Sequence, residues 1–157
     1  MRPPTSPLLP PTSSTCSADV ERLDSHSAAE TEALGGRVAE RLAAGDVVVV
    51  SGDVGAGKTT LVRGACRALG IEEPVTSPTF TIGQRYRGGR LPVSHLDLYR
   101  LESLEGEDPA LLDDYLGPDG VAFVEWPAVG VERLGRPALE IRLQHAGGES
   151  RAVEIDW

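Results

Sequence analysis

The feature that most constrains the fold is the glycine-rich segment SGDVGAGKTT at residues 51–60. It matches the pattern G-x-x-x-x-G-K-[ST], in which backbone amides cradle phosphates, the lysine reaches the β- and γ-phosphates and the hydroxyl binds Mg²⁺. The β-branched run at residues 47–50 precedes it and is typical of a buried parallel strand. Residues 60–69 follow with apolar side chains at helical spacing. This order of strand, loop and helix predicts a nucleotide-phosphate site.

The residues predicted to contact the phosphates belong to this loop and to the helical turn after it. Lys58 is the only lysine among the 15 basic residues of the chain. A lysine supplies a compact point charge among phosphates, which the planar fork of arginine does not replace. The predicted phosphate contacts are Asp53, Val54, Gly55, Ala56, Gly57, Lys58, Thr59 and Thr60.

Composition limits the classes of protein to consider. The chain has 157 residues and 40% apolar content, which suits one domain with a hydrophobic core. It is too short to contain two P-loop lobes. Its net charge of −9 disfavours direct binding to nucleic-acid phosphates. No apolar run has the length of a membrane span, so we expect no membrane association. The two cysteines, Cys16 and Cys66, lie in unlike contexts, which favours a reducing cytoplasm over a structural disulfide.

Turn residues and periodicity predict the organisation of the chain. Residues 1–17 are rich in proline, serine and threonine and are predicted to be a disordered tail, followed by one P-loop domain at residues 18–157. A strand is predicted at residues 20–23, with helices at about 28–43 and 109–116. Alternating segments predict β-hairpins at about residues 79–98 and 138–156. The predicted class is α/β, a small P-loop NTPase fold with a mixed sheet flanked by helices.

Two acidic residues are predicted to complete the site. Glu125 ends the apolar run at residues 121–124, a pattern that indicates a buried strand with an acidic residue at its carboxyl end. It is expected to hold Mg²⁺ through water, to orient the attacking water, or both. Asp97 ends the second strand of the first hairpin and is a further candidate for a Mg²⁺-bound water. His95, two residues earlier, is equally compatible with a packed and a participating role.

Four motifs together resemble the TsaE (YjeE) family. They are the loop at residues 52–60, Thr76-Ser77-Pro78-Thr79-Phe80, His95-Leu96-Asp97-Leu98-Tyr99-Arg100 and Glu125-Trp126-Pro127. The resemblance covers about residues 25–156. It implies a Mg²⁺-dependent ATPase that binds ATP or ADP, is weak alone and is promoted by its partners TsaD and TsaB. Together these proteins form the threonylcarbamoyl group on adenosine 37 of tRNAs that read ANN codons, and tRNA is contacted only indirectly.

The resemblance also assigns roles to individual residues. It implies catalytic roles for Lys58, Asp97 and Glu125, and metal binding by Thr59 and Glu125. It implies that the start of the first helix lines the nucleotide base, with Glu30 as the contact. Residues linked by the resemblance to function or partner contact are Thr79, Tyr99, Arg100 and Trp126.

Other functions remain compatible with the loop. A small-molecule kinase would need an acceptor pocket and a lid of arginines over the phosphates. A nucleotide-binding adaptor would signal by binding alone, with vestigial hydrolysis. A regulatory GTPase is disfavoured because the chain has no Asn-Lys-x-Asp-like segment, Lys58 being its only lysine.

Overall fold

Strands and helices alternate along the chain. The computed structural model describes residues 19–78, 82–98, 110–125 and 137–157. These residues form seven strands and three helices, in the order β1 Val20–Ser25, α1 Ala28–Glu40, β2 Val47–Gly52, α2 Lys58–Ala68, β3 Gly83–Tyr86, β4 Val93–Asp97, α3 Ala110–Tyr115, β5 Val121–Glu125, β6 Leu139–His145 and β7 Arg151–Asp156. No helix within the described ranges has the length and apolar character of a membrane span. The tail predicted at residues 1–17 lies outside them, so the division from a domain at 18–157 stays a prediction.

The strands join in one mixed sheet with the order β1-β7-β6-β2-β5-β4-β3. Strand β2 pairs in parallel with β5 and β6, and β5 pairs in parallel with β4. The pairs β1–β7, β6–β7 and β3–β4 are antiparallel. The predicted α/β class is confirmed, and so are both hairpins, although residues 79–81 of the first lie outside the described residues.

Apolar side chains on both faces of the sheet are buried. Along β2, Val48 and Val50 belong to the core formed with α1 and α2, whereas Val49 belongs to a smaller core with Leu112 of α3. All five residues of β5 are buried. The two uninterrupted apolar runs therefore form central parallel strands that are covered on both sides, as predicted.

Helices α1 and α2 lie in backbone contact where they cross. A Cβ added to Gly64 would lie 1.9 Å from the carbonyl oxygen of Glu32, and one added to Gly35 would lie 2.0 Å from that of Leu61. Any side chain at either position would push the two backbones apart. Glycine at positions 35 and 64 therefore sets the distance between the helices, and we call this contact the α1–α2 crossing.

One predicted helix boundary is wrong. The apolar spacing predicts a first helix over about residues 28–43, but α1 ends at Glu40. The Asp46 carboxylate accepts a hydrogen bond of 2.8 Å from the Ala43 amide, which stabilises a turn in place of another helical turn. The helices predicted at residues 60–69 and 109–116 correspond to α2 and α3, with ends displaced by no more than two residues.

Candidate functional site

The carboxyl ends of β2, β5 and β4 meet at one edge of the sheet. In the parallel register Asp97 lies opposite Glu125, and Glu125 lies opposite Val50. Strand β2 ends at Gly52, and the segment 52–59, here called the glycine loop, leads from it into α2. Carboxyl ends of parallel strands form the ligand-binding edge in open α/β sheets. This edge gathers the motif and both predicted acidic residues.

The backbone of the glycine loop has a left-handed residue at its junction with α2. Gly57 is the N-cap of α2, with φ 98° and ψ 19°, a conformation that side chains disfavour. Within the described residues, no side chain caps the first amides of this helix. Such a helix start combines exposed N–H groups with a positive dipole end, which is the arrangement that binds anions.

The ammonium of Lys58 lies inside the loop. Its Nζ donates hydrogen bonds to the carbonyl oxygens of Gly52 and Asp53, at 2.9 and 2.8 Å. Burial lowers the pKa of Lys58 below its usual value, while the carboxylates of Glu125, Asp97 and Asp53 act in the opposite direction. An anion bound at the loop adds negative charge beside this ammonium and favours its charged form.

Glu125 connects the loop to the interior of the sheet. Its Oε1 accepts hydrogen bonds from Thr59 Oγ1 at 3.1 Å and from His95 Nε2 at 2.7 Å. Both Glu125 and His95 are buried, and His95 Nδ1 has no hydrogen-bond partner among the described residues. His95 is therefore packed in the core and also holds the carboxylate that contacts Thr59.

Asp97 is held by the segment that follows α2. Ser77 Oγ donates a hydrogen bond of 2.9 Å to Asp97 Oδ2. The Asp97 amide donates to the carbonyl oxygen of Ile82 at 2.8 Å, which fixes the backbone at the end of β4. The hydroxyl-rich segment after α2 thus reaches the site through Ser77.

These groups border one cavity of about 310 Å³, lined by Val54, Gly55, Gly57, Lys58, Thr59, Thr60, Ser77, Asp97 and Glu125. Two predicted phosphate contacts are not among its lining residues: Asp53 offers its carbonyl to Lys58, and Ala56 is fully buried. The oxygen atoms of Thr59, Asp97 and Glu125 are ligands of the type that Mg²⁺ prefers. The residues present therefore fit a magnesium ion beside an anion.

Known proteins share the sequence and the fold of this chain. The sequence model of the family described as threonylcarbamoyl adenosine biosynthesis protein TsaE matches residues 25–153. The chain is 43% identical over 124 residues to the Bacillus subtilis (strain 168) tRNA threonylcarbamoyladenosine biosynthesis protein TsaE, covering 79% of this chain and 77% of the relative. This chain belongs to the TsaE family.

Two further relatives agree with this membership. The protein of the same name from Nostoc sp. (strain PCC 7120) is 56% identical over 128 residues, which cover 78% of this chain and 76% of the relative. The crystal structure of Bacillus subtilis YdiB superposes with a TM-score of 0.72 at 34% identity, covering 87% of this chain and 84% of that one. The TsaE resemblance drawn from the four motifs is thus confirmed.

Some residues singled out by the TsaE motifs fall outside the described part of the chain. They are Thr79, Tyr99, Arg100 and Trp126. Their link to function or to partner contact therefore stays a prediction.

The start of α1 borders the glycine loop, but not through the predicted side chain. A second cavity of about 170 Å³ is lined by Ala28, Thr31, Gly55, Gly57, Thr60, Glu149 and Arg151. Glu30 is not among these residues. Its carboxylate accepts a 2.6 Å hydrogen bond from the His26 amide, and its own amide donates to Ser27 Oγ at 3.2 Å. Glu30 thus takes part in the N-terminal capping of α1, with its carboxylate on the amide that precedes the N-cap residue Ser27, and its contact with a nucleotide base stays a prediction.

The sequence did not reveal that the C-terminal hairpin takes part in this TsaE site. Arg151 Nε donates to the carbonyl oxygen of Ala56 at 3.1 Å, although 95 residues separate them. The arginine belongs to none of the four motifs, and the alternation that predicted its strand says nothing about which loop it meets. No sequence signal pointed to this contact.

Proposed function

We propose that this TsaE-family protein binds ATP or ADP with Mg²⁺, hydrolyses ATP and acts in the cytoplasm with TsaD and TsaB. In this role it supports formation of the threonylcarbamoyl group on adenosine 37 of ANN-reading tRNAs. The observation that carries the proposal is the convergence of Lys58, Thr59 and Glu125 on one cavity at the glycine loop. The printed names of the relatives, tRNA threonylcarbamoyladenosine biosynthesis proteins, supply the process.

The phosphates bind at the glycine loop and the start of α2. The uncapped amides of this helix and the Lys58 ammonium provide the hydrogen bonds and the positive charge. Two loop carbonyls already accept hydrogen bonds from Lys58 Nζ, so binding exchanges some of these contacts for phosphate oxygens. This exchange keeps the ammonium hydrogen-bonded in both states, which avoids the cost of a buried unpaired charge.

Thr59 and Glu125 are the residues that would hold Mg²⁺. When bound, the ion neutralises negative charge on the phosphates. Glu125 and Asp97 both border the cavity, and either carboxylate can orient the attacking water and take its proton. The contacts of Glu125 with His95 and of Asp97 with Ser77 fix both carboxylates, which limits the motion of the group that acts on water.

The charge of the chain supports an indirect contact with tRNA. At a net charge of −9, the protein is on average repelled by a polyanionic backbone, which disfavours direct binding. We therefore assign tRNA binding to the partner proteins. The bound nucleotide then acts on the complex through a protein interface.

The decisive experiment measures phosphate release from Mg-ATP by the purified protein, alone and mixed with its cognate TsaB and TsaD. Slow release that rises on mixing supports the proposal. Tight ATP binding without release in either condition would instead identify an adaptor with vestigial hydrolysis. Release that depends on a small-molecule acceptor, and not on the partners, would identify a kinase.

Two variants test the assigned roles separately. Lys58→Ala removes the ammonium from the loop, and we expect Mg-ATP affinity to fall about a hundredfold, the effect of losing charged hydrogen bonds. Glu125→Gln keeps the shape of the side chain, and we expect phosphate release to fall about a hundredfold while the affinity for ATP without Mg²⁺ changes by less than about threefold. Calorimetric titration and phosphate release measured on the same preparations check both. A Lys58→Ala variant that bound Mg-ATP as tightly as the parent would refute the phosphate assignment.

A further inference from the structure

The C-terminal hairpin, which consists of β6, β7 and the turn between them, is hydrogen-bonded to the glycine loop through one side chain. Arg151 donates from Nε to the carbonyl oxygen of Ala56 at 3.1 Å and from Nη2 to that of Gly55 at 3.3 Å. Its Nη1 donates to the carbonyl oxygens of Gly148 at 3.1 Å and Ser150 at 2.9 Å. These four bonds all go to main-chain carbonyls, so a single guanidinium ties the hairpin turn to the loop.

We propose that Arg151 is a positioning residue that holds the glycine loop in its phosphate-binding shape before a nucleotide arrives. The inference rests on the proposed function, because it names a residue that prepares the same site. Arg151 does not need to touch the reacting atoms for this role. It acts through the peptide groups of the loop.

The geometry of the peptide bond explains how this works. The described residues contain no cis peptide, and in a trans peptide the C=O and N–H groups point in opposite directions. The bond to the Ala56 carbonyl therefore directs the Gly57 amide away from the hairpin. The bond to the Gly55 carbonyl likewise directs the Ala56 amide inward, where it donates to the carbonyl oxygen of Asp53 at 3.0 Å. One side chain thus sets two consecutive peptide planes.

The loop needs such support because its glycines do not define its shape alone. Gly55 and Gly57 have φ values of 75° and 98°. Glycine populates positive and negative φ about equally, so these peptides can adopt more orientations when a bond from outside the loop is removed. A loop that is already ordered loses less entropy when an anion binds, and its affinity rises accordingly.

The hairpin also meets the loop at its beginning. Gly52 pairs with Leu143 of β6, and a Cβ at Gly52 would lie 2.3 Å from the Leu143 carbonyl oxygen. Further on, His145 Nε2 lies 3.5 Å from the Val54 carbonyl oxygen. The hairpin itself is continuously paired, from Glu140 opposite Asp156 to His145 opposite Arg151. The hairpin therefore contacts the loop at Gly52 and Val54 as well as at Gly55 and Ala56.

Arg151→Gln tests the proposal, with Arg142→Gln as the matched control. Arg142 lies on β6 of the same hairpin, is exposed and borders a different cavity, with Arg22 and Glu154. Both variants lose one positive charge, but only Arg151→Gln releases the loop. We expect Arg151→Gln to weaken Mg-ADP binding about tenfold in calorimetric titration, as for loss of charged hydrogen bonds. The control should stay within about twofold of the parent.

Hydrogen exchange on the nucleotide-free proteins locates the effect. In Arg151→Gln the amides of residues 54–60 should exchange faster, while those of β6 and β7 keep their parental rates. Unchanged affinity and unchanged loop exchange in Arg151→Gln would overturn the proposal. Equal weakening of Mg-ADP binding in the control would assign the effect to net charge. Faster exchange throughout the hairpin would assign the effect to loss of fold. Either result would also overturn the proposal.

The two proposals can fail separately. A parent protein that binds neither Mg-ADP nor Mg-ATP would refute the proposed function. Exchange of the loop amides needs no nucleotide, so it still decides whether Arg151 orders the loop.

Discussion

The glycine loop and the α1–α2 crossing are both built on glycine, but for different physical reasons. In the loop, Gly55 and Gly57 adopt φ values of 75° and 98°, which other residues rarely reach. In the crossing, Gly35 and Gly64 lie inside helices, and what matters is that a Cβ would meet the backbone of the other helix. The loop uses glycine for conformation, and the crossing uses it for distance.

The glycine loop and the α1–α2 crossing also differ in their surroundings. The loop lies beside a cavity that the charged groups of Lys58, Asp97 and Glu125 border, and hydrogen bonds from Lys58 and Arg151 hold its shape. The crossing lies in the larger core, where Leu61, Val62 and Ala65 are fully buried. We therefore expect substitutions in the loop to reduce nucleotide binding and substitutions in the crossing to reduce the free energy of unfolding.

The largest effect is expected at the crossing. Gly64→Ala places a Cβ against the carbonyl of Glu32, and we expect the free energy of unfolding to fall by about 3 kcal/mol, as for overpacked cores. Urea denaturation measures it. Gly36→Ala is the matched control, since the one contact that its Cβ would make within the described residues is with the Ala68 Cβ at 3.7 Å. Because alanine favours helix, this control should be as stable as the parent or more stable by up to about 1 kcal/mol.

A Gly64→Ala protein as stable as the parent would contradict the claim that the crossing needs glycine for close approach of the two helices. It would mean that the helices separate at no cost and that the close contact does not support the core.

An intermediate effect on stability is expected in the loop. In Gly57→Ala the added Cβ would make contacts of ordinary van der Waals length, at 3.6 Å to Thr31 Cγ2 and 3.8 Å to Leu143 Cδ2. The left-handed φ should cost about 1 kcal/mol of folding free energy. Because the strained peptide turns away from its binding orientation, Mg-ADP affinity should fall about tenfold. Denaturation and calorimetry on one preparation test both, and a stability loss as large as that of Gly64→Ala would contradict the distinction.

The last prediction requires no substitution and concerns the reactivity of Cys66, a fully buried thiol of α2 beside the crossing. Burial raises its pKa from 9.0 to about 12, so the reactive thiolate is scarce in the folded protein. We expect iodoacetamide at about pH 8 to modify Cys66 slowly in the native state and rapidly in urea. Mass spectrometry of the Cys66 peptide follows the reaction.

The raised pKa of Cys66 also makes the stability of the folded protein depend on pH. Since the folded pKa exceeds the unfolded value, the thiol contributes stability that is present below pH 9.0 and is lost as the pH rises towards about 12. Native modification of Cys66 at the urea rate would show that this part of the core opens readily, and the two regions would then not differ as described.

The sequence by itself determined the elements that depend on local patterns. The β-branched run of β2, the apolar run of β5 and the alternation of both hairpins were sufficient, because strand and helix periodicity is a local property. The glycine loop was identified by residue types at fixed spacing, and Glu125 by its place at the end of a buried strand. The end of α1 was predicted wrongly, since the Asp46 carboxylate and the Ala43 amide favour a turn that apolar spacing does not encode.

Only the tertiary structure decided which distant groups meet. The pairing of His95 with Glu125 depends on the register of β4 against β5, and periodicity does not specify register between strands. Gly36 and Gly64 are the same residue type in helices, yet only the backbone of a neighbouring helix makes the second one indispensable. Arg151 reaches the loop because β6 pairs with β2 and carries the hairpin to it. Each of these contacts depends on relative position in space, which a linear pattern of residues leaves undefined.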